Sequence, residues 1–131
     1  MVVSRDVTLL QTRRLILGTF FRVQDAARMQ EAEALLAKGR FELIILCQSL
    51  TDCDCQHMAN LIRNLNPRPL VLALKDAGML GHRAGADDEV AVATGPYGLL
   101  KKCAAMLNVD LKAKVLMAPH TIPTGSFAAH S

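Results

Sequence analysis

The chain predicts one α/β domain, a five-stranded parallel sheet with helices on both faces, and three observations carry that expectation. Short apolar runs alternate with segments whose apolar residues recur at helical spacing, over roughly 105 residues. The central run, Phe41 to Leu46, is apolar at nearly every position, as a strand covered on both sides must be. The connections are short, and right-handed crossovers then leave few topologies open. At 131 residues and 51% hydrophobic content, the chain can bury a single core and has no material for a second domain.

Each element has its own signal. Met1 to Ser4 reads as a short first strand. Asp6 is a helix N-cap, and Leu9, Leu10, Ile16 and Leu17 give the helix to about Phe20 an apolar face, with Arg13 and Arg14 on or near solvent. Phe21 to Ala26 is a weak edge strand. Met29 to Lys38 is a helix that turns Ala32, Leu35 and Leu36 inward and stops at Gly39. After the Phe41 to Leu46 strand, Thr51 to His57 is a polar loop in which Asp52 or Asp54 caps the next helix. That helix carries Met58, Leu61, Ile62 and Leu65 at i, i+3, i+4 and i+7, closed by Asn66-Pro67. Leu70 to Leu74 is a fourth strand and Glu89 to Ala93 a fifth. Leu99, Leu100, Cys103, Ala104 and Leu107 form the inner face of a last helix, which Leu111, Val115 and Leu116 extend in one reading. From Asp110 through Pro119, Pro123 and Gly125 to Ser131 periodicity is absent, so residues 1–109 are expected to be the domain and 110–131 a mobile tail.

Composition excludes several functions. Lys and Arg number 15 against 12 Asp and Glu, a net charge of +3 with no basic run and no Trp, so nucleic acid is not an expected partner. No apolar run approaches the ~20 residues that span a bilayer, so a membrane is not expected either. The arginines at 5, 13, 14 and 22 suit the first helix better than a targeting peptide. Four cysteines, at 47, 53, 55 and 103, are expected to be reduced thiols in the cytoplasm.

The run Glu42-Leu43-Ile44-Ile45-Leu46-Cys47 resembles the third strand of a response-regulator receiver domain, the CheY-like phosphoacceptor module of bacterial two-component signalling. The stretches Ser4 to Leu17, Glu31 to Leu46 and Gly85 to Leu100 match it in order and spacing. The resemblance implies a flavodoxin-like (CheY-like) three-layer sandwich with strand order 2-1-3-4-5 and a working site at the carboxyl ends of the strands. Gly78, Gly81 and Gly85 fall where the family has its fourth helix, which is therefore expected to be short or missing. That gap and Thr94-Gly95-Pro96 alter the face through which receivers dimerise or meet their output partners.

Against the family pattern every chemical position differs. Cys47 stands where the phosphoacceptor aspartate belongs, Ser4 and Arg5 where two carboxylates help to hold magnesium, leaving Asp6 as the nearby acid. Lys75, or Leu74 if the register slips by one, replaces a Ser or Thr, and Val92 lies near the position of the family lysine. Magnesium takes hard oxygen ligands, which a thiol, a hydroxyl and a guanidinium do not supply. Arg5 and Lys75 are expected to stand where the metal and the family lysine would be. The chain thus reads as a degenerate receiver: not an enzyme, without cofactor, working by contact with a protein partner, a homodimer included, independently of aspartyl phosphorylation.

Two alternatives belong to other classes. Cys47 is either a small apolar residue at a strand end or a thiol activated by Arg5 and Lys75 and resolved by Cys53 or Cys55. Cys53, Cys55 and His57 are alternatively metal ligands, although their spacing leaves at least one ligand to come from afar. His82, His120 and His130 read as surface residues. A flavin enzyme would need a phosphate loop after the first strand and stacking aromatics, and the chain has neither.

Overall fold

The computed structural model describes residues 1–79 and 81–111. Val115, Leu116, His120, His130 and the tail beyond Leu111 lie outside the described residues. A five-stranded parallel sheet has the order β2-β1-β3-β4-β5, with β1 Val2–Val3, β2 Asp25–Ala26, β3 Leu43–Leu46, β4 Leu70–Lys75 and β5 Asp88–Ala91. Helices α1 (Val7–Gly18), α2 (Met29–Lys38), α3 (Asp52–Arg63) and α4 (Gly95–Leu107) connect or follow the strands. This is the flavodoxin-like topology.

Pleating divides the core. Ile44 and Leu46 point to one face, where Ala32 and Leu36 of α2 and Met58 and Ile62 of α3 cover them. Leu43, Ile45 and Cys47 point to the other, against Leu10 and Leu17 of α1 and Leu99 and Cys103 of α4. A strand with both faces filled has no use for polar residues, which explains the unbroken apolar run in β3.

The elements depart from expectation in instructive ways. β2 is two residues long, not six, because only Asp25 and Ala26 pair with β1. β3 begins at Leu43, β4 reaches Lys75, and β5 runs from Asp88 to Ala91, with a 3-10 turn at Val92–Thr94 after it. Gly39 ends α2 with extended backbone (φ −134°), not a left-handed turn. Thr51 to His57 is not a loop. Thr51 is the N-cap and residues 52–57 already belong to α3, because the Thr51 hydroxyl accepts the Asp54 N–H while the Asp54 carboxylate accepts the Thr51 N–H, each at 3.0 Å. Asp6 caps α1 as expected, accepting from the Leu9 N–H at 3.2 Å.

Among the described residues no helix lies between β4 and β5. Gly81 and Gly85 adopt φ of +74° and +73°, conformations that other residues adopt only with strain. Gly85 also abuts α3: a Cβ on it would fall 2.5 Å from the Cβ of Ala59. The connection is thus seated on α3 where a helix would otherwise pack.

Candidate functional site at the carboxyl ends of the strands

In a parallel sheet of this order a site forms beyond the strand ends, where the crossovers after β1 and β3 diverge. Ser4 and Cys47 immediately follow these strands, 0% and 1% exposed. The Ser4 hydroxyl lies 2.9 Å from that of Ser49 and accepts from the Asp6 N–H at 3.1 Å. Ser49 Oγ in turn accepts the Arg5 N–H at 3.0 Å. Both hydroxyls are engaged by their own chain.

Arg5 does not face Cys47. Its Nε and Nη2 donate to Asp54 Oδ2 and Oδ1 at 2.6 and 2.7 Å, a bidentate pair across the mouth of the site. The Arg5 hydrogen bonds and those of Thr51 hold the Asp54 carboxyl well below the usual carboxylate range, against the opposing effect of burial. Lys75 is turned away as well. Its Nζ donates to the Gly81 carbonyl and lies 3.5 Å from Glu89 Oε1. The cation beside Cys47 is Arg13, which is buried, not near solvent as its neighbours in sequence suggested. Arg13 Nη1 donates to Gln48 Oε1 at 2.8 Å. Burial pushes the Cys47 thiol up, and the charge and hydrogen bond of Arg13 and the Ser4 hydroxyl offset part of that rise.

The β3–β4 register, Leu46 opposite Ala73, places Leu74 beside Cys47 when continued by one residue. Leu74 is 2% exposed and shares the apolar cluster of Cys47, so an alkyl group stands at that level and Lys75 lies one residue beyond. Val92 falls past the end of β5 and packs half-buried against the same cluster.

A residue without a sequence signal closes the site from the β4–β5 side. Arg83 is buried; its Nη1 donates to the Leu50 carbonyl at 2.8 Å and to Cys55 Sγ at 3.0 Å, and Nη2 to the Gln48 carbonyl at 3.4 Å. Its own N–H is held by Glu89 Oε2 at 2.8 Å. The β3–α3 connection is thereby tied down along its length, with Gln48 held by Arg13 and Arg83, Ser49 by Ser4 and Arg5, and Leu50 by Arg83.

Cys53, Cys55 and His57 do not converge. Lying two residues apart along a helix they point different ways: Cys55 is buried against the core, Cys53 is exposed, and His57 Nε2 lies 2.7 Å from Glu33 Oε2. No group of three His, Cys, Asp or Glu among the described residues could hold a metal ion. Cys47 and Cys55 belong to clusters on opposite faces of the sheet, which separates a thiol from its supposed resolving partner.

No protein-family model matches the chain, and no curated protein matches it in sequence. Solved structures do match in fold. A CheY-like response-regulator receiver domain protein from Methanospirillum hungatei JF-1 is 22% identical, with a TM-score of 0.68 over 82% of this chain and 90% of that one. A response-regulator receiver protein from Burkholderia phymatum is 15% identical, with a TM-score of 0.71 over 83% and 94%. The Vibrio cholerae chemotaxis protein CheY4 is 19% identical, with a TM-score of 0.63 over 80% and 94%. The chain therefore has the receiver (CheY-like) fold.

Proposed function

We propose that this chain is a degenerate receiver, a noncatalytic signalling module that acts through contact with a protein partner and without aspartyl phosphorylation, in a reducing cytoplasmic compartment. The observation that carries the reading is the occupation of the strand ends by Ser4, Cys47 and Leu74, which supply neither the carboxylate ligands magnesium takes nor a carboxylate that could become an acyl phosphate. Cys47 has no carboxylate from which to form an acyl phosphate, and Leu74 has no hydroxyl to steady one. Of the nearby carboxylates, Asp6 caps α1, Asp54 holds Arg5, and the exposed Asp52 lies 3.8 Å from Arg83. Arg5, Arg13 and Arg83 add permanent positive charge around the strand ends, which disfavours a divalent cation there. A module of this kind keeps one arrangement of the β3–α3 connection and presents a constant surface.

The thiol- or metal-sensor alternative has less support. Burial raises the Cys47 and Cys55 thiols, which opposes reactivity, and the three metal-ligand candidates diverge. Acetyl phosphate with magnesium, followed by intact-protein mass spectrometry beside an ordinary receiver, tests the proposal. The expected result is labelling of the ordinary receiver and none of this chain; a phosphorylated aspartate here refutes the reading.

A further inference from the structure

The opposite end of the sheet carries a feature that the proposed function does not use. α1 runs back from the strands' carboxyl ends, so its last turns and the chain leading into β2 meet at their amino ends. An open groove of about 520 Å³ lies there, with Arg14, Leu15, Gly18, Phe21, Arg22 and Val23 in its lining. Leu15 is 73% exposed, the most exposed of the large apolar side chains among the described residues. Phe21 and Val23 rest on the core and turn a partly buried surface to the groove. Gly18 keeps the groove clear, and a Cβ there would meet nothing within 4 Å. The lining holds two guanidinium groups and no carboxylate. The acid nearest Arg14 in an ion pair is Asp25 at 3.8 Å, and the Arg14 side chain remains 59% exposed.

A groove that combines apolar side chains with two arginines selects an occupant that combines an apolar residue with carboxylates. A small molecule fits poorly, since such ligands bury most of their surface in a closed pocket and this groove is open to solvent. A second copy fits poorly too. Of the other exposed apolar residues, Tyr97 stands under Lys101, 5.4 Å from its ring, and would bring a third cation, while the acid beside Val7, Asp6, is committed to capping α1. We propose that the groove docks a segment of a partner protein in which one large apolar residue is flanked by carboxylates. The apolar residue would cover Leu15, and the carboxylates would pair with Arg14 and Arg22. This rests on reading the chain as an interaction module, and it places the contact at the end of the sheet away from the degenerate site.

Fluorescein-labelled octapeptides, with a central leucine flanked by zero to three glutamates on each side, test this by anisotropy. Affinity should rise with each glutamate, fall at least tenfold for the Arg14→Glu/Arg22→Glu variant, and fall severalfold for Leu15→Ser and for peptides with serine in place of leucine. Arg14→Gln/Arg22→Gln, which reverses no charge, should show an intermediate loss, and circular dichroism should be unchanged in all variants. Binding that ignores the glutamates or the arginines overturns the proposal, as does no binding. So does arginine-dependent binding to phosphatidylglycerol vesicles without binding to the peptides, which would make the occupant a membrane. These outcomes leave the phosphorylation test untouched, whereas phosphorylation of an aspartate would remove the reading on which the groove rests.

Discussion

At the end of β3 the environment of Cys47 matters as much as its identity. Arg13 and Ser4 face it from the α1 side and Leu74 stands next to it, so restoring a carboxylate would not restore a receiver. Cys47→Asp should place its carboxylate against the Arg13 guanidinium and remain unlabelled by acetyl phosphate and magnesium in intact-mass measurements. Labelling of Asp at 47 would mean that the thiol alone separates this chain from the chemistry. Asp54 makes a second residue-level prediction. Because Arg5 lowers its pKa in the folded state, folding favours the carboxylate. Its contribution is complete above the unfolded value of about 3.9 and is lost as the pH falls through the lower folded value. The difference in urea midpoint between the wild type and Asp54→Asn should therefore be largest near neutrality and shrink steadily below about pH 4.

The helices and their connections show what was legible in the residues. The stripe of α3 was plain because Met58 and Ile62 repeat at helical spacing, and α2 because Ala32 and Leu36 do. The start of α3 is hard to read because Asp52, Asp54, Gln56 and His57 are polar and Cys55 alone extends the stripe three residues before Met58; Thr51 and Asp54, three residues apart, form the reciprocal cap that is the better cue. Thr51→Ala should cost about 1 kcal/mol in urea denaturation, as the loss of a helix cap does. Arg13 is expected near solvent yet lies on the inward face with Leu10 and Leu17, because its charge hides its place on the stripe and only Gln48, 35 residues away, explains its burial. Arg83 has no local signal; its partners in and after the β3–α3 connection, Gln48, Leu50 and Cys55, lie 28 to 35 residues away. The glycines around it did predict the missing helix. Gly85→Ala should destabilise by about 2 kcal/mol or more, from the left-handed backbone and the overlap with Ala59. In an Ala59→Gly background, which itself costs helix stability, Gly85→Ala should destabilise less in urea denaturation, keeping the backbone part and losing most of the overlap part.

On the scale of the whole molecule, the fold was readable because strand and helix periods are repeated around the domain, so that errors at element ends did not change the topology. The site was only partly readable. Which residues end the strands follows from sequence, but where Arg5, Lys75 and Arg83 direct their charges depends on contacts far apart in the chain. The arrangement is a sandwich of the receiver fold whose β3–α3 connection is tied down by Arg5, Arg13 and Arg83, and under the proposed function the other surfaces meet partners. The most direct test is an amide ¹H–¹⁵N spectrum of the protein titrated with magnesium and then with beryllofluoride as a phosphoryl mimic. The account predicts unchanged resonances for Ser4, Cys47, Ser49, Leu74 and Arg83. Saturable shifts at these residues would contradict it.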